Sequence, residues 1–272
     1  MTQPLAIVTG ASAGIGQAIA RGLLDAGHRV VIASRDPGRF VDVPTASVGA
    51  PTGSVGTPTR RIERWPLDLA DLASVRAFAN RVRTELPAPA VLVCNAGIWP
   101  RRRQLNGAGL ELGFAVNHVG HAALALALEP HLAAGARVVT LASGLHAAGR
   151  IAWDDPTFAR DFADPAAYAQ SKLANVMFSL AFARRFPRLR SNAIHPGLVR
   201  TALHGERPPA SAITASAAAR GPLRLAWAAE HATTTGRYFD QLVSRRPSAL
   251  ALDRASQDRL WSLTEVLIRR RK

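Results

Sequence analysis

The chain has 272 residues, enough for one large α/β domain, and 48% of them are hydrophobic, ample for a substantial core. Its formal charge of +15 sits almost wholly on scattered arginines, with lysine only at 172 and 272, so a solvated basic surface is expected rather than a nucleic-acid groove. The lone Cys94 excludes an intrachain disulfide, and no stretch reaches the roughly 20 continuous apolar residues of a bilayer span.

These features predict a cytoplasmic protein with no membrane or nucleic-acid partner and no metal. Nothing before the first apolar run, residues 5–8, reads as a secretory segment. Short β-branched runs then alternate with helical patterns, which predicts α/β architecture: a doubly wound, seven-stranded parallel sheet in one domain spanning residues 1–272.

The first strand, 5–8, runs into Thr9-Gly10-Ala11-Ser12-Ala13-Gly14-Ile15-Gly16 and a helix over 14–26. Glycines at that turn let the backbone approach a pyrophosphate, and the free amides and dipole of the helix start favour its charge. The plain alternative is a tight strand-to-helix connection. The turn's place after the first strand makes it a dinucleotide fingerprint.

The second strand, 30–33, ends at Ser34-Arg35-Asp36. A carboxylate at such a strand end accepts from the adenosine ribose, whereas a cation meets the extra phosphate of NADP, so Arg35 points to NADP(H). Residues 36–60 follow, with prolines at 37, 44, 51 and 58 and a near-repeat of Ser-Val-Gly at 47 and 54. An irregular crossover loop is expected there in place of a helix.

Further strands are predicted at 61–65, 90–94, 137–141, 191–194 and 236–239. The helices between and after them are predicted at 71–86, 108–133, 165–185, 220–229 and 256–268. In the last, Leu260, Leu263 and Leu267 share one face, which should pack on the core or on another subunit.

Tyr168 and Lys172 stand four residues apart in a predicted helix, so they share a face. An ammonium there should favour the phenolate, bringing a group with an ordinary pKa of about 10 toward proton exchange with a carbonyl oxygen. Tyr-x-x-x-Lys is a common accident in most proteins, but this chain holds only two tyrosines and two lysines. Ser143, just after the strand at 137–141, would place a hydroxyl at the carboxyl edge of the sheet; alone it would read as a turn residue or helix cap.

Together these motifs resemble the short-chain dehydrogenase/reductase family, most closely its retinol-dehydrogenase-like branch. The likeness rests on the Gly-x-x-x-Gly-x-Gly turn, Leu67-Asp68-Leu69-Ala70, Cys94-Asn95-Ala96-Gly97, Phe114 through Asn117 to Ala122, Ser143 to His146, Tyr168 with Lys172 to Asn175, and His195 to Thr201. The resemblance implies that Tyr168 is the general acid or base and that Lys172 lowers its pKa and holds the nicotinamide ribose. Ser143 would orient the substrate oxygen, and Asn117 would hold a relay water.

It further implies cofactor contacts from Gly10, Ser12, Gly14, Ile15, Gly16, Asp68, Leu69, Asn95, Ala96, Gly97, Pro196, Gly197, Val199 and Thr201. Ser34 occupies the place that is Asp in NAD-preferring members. Residues 202–220 would form a small, flexible substrate loop, and helices 108–133 and 165–185 would form a homodimer or tetramer contact. Many retinol dehydrogenases carry a hydrophobic anchor that is not seen ahead of this first strand.

The expected function is hydride transfer between NADP(H) and a small-molecule carbonyl or alcohol, a hydrophobic ketone or aldehyde. Trp99 and Trp153 are equally open to readings as an apolar wall for it and as core residues. Two other functions remain open to the same sequence: a non-redox step such as dehydration, cyclisation or epimerisation, and a dinucleotide-sensing regulator.

Overall fold

The structure, a computed structural model, describes residues 3–42, 61–200 and 210–269. The Ser-Val-Gly repeat with Pro44, Pro51 and Pro58, as well as Thr201 and Pro208-Pro209, lies outside the described residues.

Eight strands form one sheet in the order β3-β2-β1-β4-β5-β6-β7-β8. They are β1 Leu5–Thr9, β2 Arg29–Ser34, β3 Ile62–Pro66, β4 Val91–Cys94, β5 Arg137–Leu141, β6 Arg190–His195, β7 Arg237–Asp240 and β8 Val243–Arg245. The first seven are parallel; β8 is antiparallel to β7. The expectation of seven parallel strands is therefore corrected by one added strand. β8 is three exposed residues long, too short and too polar for hydrophobic alternation to reveal, and it returns through Gln241, whose φ is 53°.

Strand alternation distributes the core. Leu5, Ile7 and Val31 face one helix layer, and Ala6, Val8, Val30 and Ile32 face the other. The first layer holds α2 Leu72–Glu85, α3 Leu112–Phe114, α4 Gly120–Leu128, α5 Asp164–Arg185, α7 Ala249–Leu252 and α8 Arg254–Arg269; α1 Gly14–Asp25 and α6 Ala215–Trp227 form the second. β1 leads outward to β2 and β3, and the chain then crosses to β4 on the other side of β1. That reversal opens a crevice above the carboxyl ends of β1 and β4, where open α/β sheets bind ligands.

The predicted helix 108–133 is shorter and broken. Glu111, almost fully buried, accepts from the amides of Gly113 and Phe114 at 2.8 and 2.6 Å and so begins α3. Residues Ala115–Val119 then form a π turn before α4, and Pro130 ends the run in a tight turn at Glu129–His131. Residues 215–220, expected within a flexible loop, are instead the start of α6. Thr214 caps it through Ala217 N, and the alanines that suggested flexibility are strong helix formers.

Burial on α8 follows the predicted spacing, with Leu260 and Leu267 buried, and Trp261 stacks on Phe178 of α5 at 5.0 Å. α8 therefore packs on its own chain. It covers α5 along Phe178, Phe182 and Phe186, on one of the helices expected to form a subunit contact. No helix among the described residues is long and apolar enough to cross a membrane.

One close approach positions the site. A Cβ on Gly120 would lie 2.3 Å from the Leu69 carbonyl oxygen, so only glycine lets the loop after β3 rest against α4. Gly120→Ala should cost about 1–3 kcal/mol through overpacking, measurable by denaturant unfolding as a lower midpoint with an unchanged slope.

Candidate active site

The turn after β1 has the form expected. Gly10 donates to the Ala33 carbonyl at 2.8 Å, and Gly14 opens α1 with φ of 58°. A Cβ on Gly16 would sit 2.3 Å from Asn95 Nδ2 and 2.5 Å from the Gly10 carbonyl oxygen. Ala13, the residue before α1, offers no side-chain cap, and the first turn holds no acid. The amides around Ser12 to Gly16 are thus left for an external anion.

Asn95 and Ala96 are stapled to this turn. Asn95 Nδ2 donates to the Thr9 carbonyl at 2.8 Å, and the backbone amides of Asn95 and Ala96 donate to Thr9 Oγ1 at 2.9 and 3.1 Å. At the end of β2, Ser34 is buried and its Oγ has no hydrogen-bond partner, while Arg35 beside it is exposed. His195 Nδ1, at the end of β6, is likewise buried without a partner. Orphaned buried polar atoms need an explanation, and along the carboxyl edge of such a sheet a dinucleotide supplies one.

Leu69 is buried against Gly120, and Asp68 holds its own turn by accepting from Ala70 N at 2.9 Å. On the far side, Pro196 and Gly197 turn the chain out of β6, with φ of 96° at Gly197, and Val199 is buried and bridged to Ile213.

Of the four candidate catalytic residues, Tyr168 is joined to Lys172 and Ser143, and Lys172 and Asn117 converge beside Gly97. A Cβ there would lie 3.4 Å from Lys172 Nζ and 3.5 Å from Asn117 Oδ1, so the two groups converge where glycine leaves room. Asn117 sits in the π turn. Its side chain accepts from Ile98 N at 2.8 Å and donates to the Ile98 carbonyl and to Ser171 Oγ, both at 2.9 Å. Lys172 Nζ donates to the Leu141 carbonyl at 3.2 Å and lies 5.6 Å from the Tyr168 ring centroid. Ser143 Oγ caps the turn at Gly144–Ala148 through Leu145 N at 3.2 Å, so the helix-cap reading of this serine is also realised.

The electrostatics differ from the expectation in one respect. Burial pushes the Tyr168 phenol up to about 12, opposed by its hydrogen bond to Ser143 and the charge of Arg101. Burial also pulls the Lys172 ammonium down to about 8. Burial is the largest cause of both shifts and acts against the charged form of each group.

Two residues that sequence reasoning passed over complete the site. His121, which burial pulls down to about 4, is neutral; its Nδ1 donates to the Asn117 carbonyl at 3.0 Å, leaving Nε2 to accept from Thr9 Oγ1 at 2.8 Å. Thr9 and His121 therefore connect the glycine turn to the π turn. The i, i+4 spacing of Asn117 and His121 was the available signal. Of the two tryptophans, Trp99 stacks on Tyr168 at 4.3 Å, whereas Trp153 sits under the Arg259 guanidinium of α8 at 4.4 Å.

Comparison with known proteins identifies the family. A family model described as short chain dehydrogenase matches residues 4–212. Human retinol dehydrogenase 13 is 34% identical, over 96% of this chain and 83% of its own length; mouse polyprenol dehydrogenase is 36% identical, over 95% and 82%. An uncharacterised protein from Mycobacterium paratuberculosis superposes with a TM-score of 0.78 at 32% identity, covering 98% of this chain and 94% of that one. A short chain dehydrogenase from Shigella flexneri, complexed with NADP, shares the fold with a TM-score of 0.69 at 22% identity, covering 89% of this chain and 98% of its own. The chain belongs to the short-chain dehydrogenase family of oxidoreductases, whose fold binds a nicotinamide dinucleotide, and within it to the retinol-dehydrogenase-like branch.

Proposed function

We propose that this chain is an NADP(H)-dependent oxidoreductase acting on a carbonyl or alcohol, with a hydrophobic ketone or aldehyde as substrate. The observation that carries it is a linked set: Ser143 bonds to Tyr168, Lys172 Nζ lies 5.6 Å from the Tyr168 ring, and Lys172 and Asn117 converge beside Gly97. Bound there, NADP(H) supplies or takes up the hydride. The chain's own groups do the rest.

Ser143 Oγ donates to the substrate oxygen and fixes its direction. Burial raises the Tyr168 phenol, which keeps its proton at neutral pH and can donate it as the substrate oxygen gains charge. Lys172 would hold the ribose and, where its Nζ converges with Asn117 Oδ1, would return a proton to Tyr168. Gly10, Ser12, Gly14, Ile15 and Gly16 would receive the pyrophosphate and Pro196, Gly197 and Val199 the nicotinamide side, to which the family resemblance adds Thr201. The relatives named for the alcohols retinol and polyprenol, and the indole of Trp99 at the site, support an apolar substrate.

The partnerless Ser34 hydroxyl and the exposed Arg35 support the phosphorylated cofactor, as do the solved relatives complexed with NADP and with 5-hydroxy-NADP. A cytoplasmic setting fits the single Cys94, buried and with its thiol pushed up to about 12. Since α8 already lies along α5, a dimer or tetramer would use another face.

Fluorescence titration should show NADPH binding at least about tenfold more tightly than NADH, and Arg35→Ser should erase the difference, because one charged phosphate contact is worth about 1.5–3 kcal/mol. Equal affinities would overturn the cofactor assignment. Tight NADPH binding without consumption by any aldehyde or ketone would favour a non-redox step or a sensing role.

A further inference from the structure

The Tyr168 ring is clamped from a direction that the catalytic roles leave unexplained. Trp99 lies parallel to it, with ring centroids 4.3 Å apart and an interplanar angle of 10°. The Arg101 guanidinium lies 4.0 Å from the Trp99 ring, and sterics place it on the face opposite Tyr168. The result is a three-layer stack of cation, indole and phenol.

The cation and the indole are both tied to one residue. Trp99 Nε1 donates to the Asp164 carbonyl at 3.2 Å, and Arg101 Nη1 meets Asp164 Oδ2 at 3.1 Å. Asp164 is the first residue of α5, one helical turn ahead of Tyr168. The loop is fixed at its other end as well, because Asn117 grips both backbone groups of Ile98. A tryptophan that merely filled the core would be enclosed by apolar neighbours. This one is partly exposed and capped by a half-exposed guanidinium.

We propose that Trp99, held flat by Arg101 and Asp164, is the positioning residue that fixes the direction of the Tyr168 hydroxyl. A phenol ring swings about two torsions, and a hydroxyl at its end magnifies any tilt. Stacking removes that swing on one side while Lys172 bounds another. Arg101 adds a charge on the phenol's side of the balance, since it favours the phenolate. The inference rests on Tyr168 being the proton donor, but the ring's position can be tested without turnover.

The test compares Trp99→Ala, Trp99→Phe and wild type by steady-state kinetics across pH, NADPH affinity and crystal structures. Trp99→Ala should lower kcat by about ten- to a hundredfold, leave NADPH affinity unchanged, and show Tyr168 tilted or in two positions. Its pH profile should shift with the loosened Arg101, and Trp99→Phe should restore most of kcat. The idea is overturned if the Trp99→Ala structure keeps Tyr168 in place, or if kcat and NADPH affinity fall together in both variants. If wild type reduces no carbonyl, the proton-donor assignment fails by itself, and the position of the Tyr168 ring in Trp99→Ala still decides this inference.

Discussion

Tyr168→Phe is expected to lower kcat by about 10²–10⁴-fold, the usual worth of a positioned proton donor, while NADPH binds as before. The substitution removes one oxygen and keeps the ring, so the Trp99 stack at 4.3 Å and the approach of Lys172 at 5.6 Å survive. Ser143 Oγ loses one neighbour but still accepts from Leu145 N. Stability should therefore change by no more than about 1 kcal/mol, and a normal unfolding curve beside lost turnover would assign the defect to chemistry. Turnover within tenfold of wild type would show that another group gives the proton.

Lys172→Met should do something less usual, sharply lowering activity while making the protein more stable. The ammonium is almost fully buried, and burial alone pulls it from 10.5 to about 8. Below pH 8 the folded and unfolded states both carry the charge, so folding bears the whole cost of burying it, on the order of 3 kcal/mol. Between pH 8 and 10.5 the folded state is neutral while the unfolded chain keeps its proton; the unfolded state binds more protons, so stability rises with pH. Above that window the cost is gone.

Methionine has the same unbranched reach without the charge. The Leu141 carbonyl that Lys172 served is also reached by Asn175 Nδ2 at 3.2 Å, so it keeps a partner. Denaturation curves should show the variant's advantage near neutral pH and its disappearance by about pH 10.5, with kcat down by about 10²-fold or more. A variant less stable than wild type at pH 7 would mean that Lys172 is held by attractions stronger than its burial cost. Such an exchange of stability for function is common where a site must keep a charge out of water.

Much of this was legible in the sequence, and the reasons are physical. Strands such as Leu5–Thr9 and Val91–Cys94 are buried on both faces and read as nearly continuous apolar runs. The glycine turn was visible because a missing side chain is itself a steric statement. Tyr168 and Lys172 stood out by scarcity in an arginine-rich chain. Other features depend on contacts between distant residues. The π turn at Ala115–Val119 leaves no period in the sequence, and the Thr9–His121 bond joins residues 112 positions apart. Burial set the direction of the Tyr168 shift, and helical spacing alone carries no information about burial depth.

His118, in the π turn next to Asn117, bonds through Nε2 to Thr264 Oγ1 of α8 at 2.8 Å. That bond spans 146 positions, so the turn carrying Asn117 is braced by α8, and a substitution at Thr264 would loosen a candidate site that it does not touch.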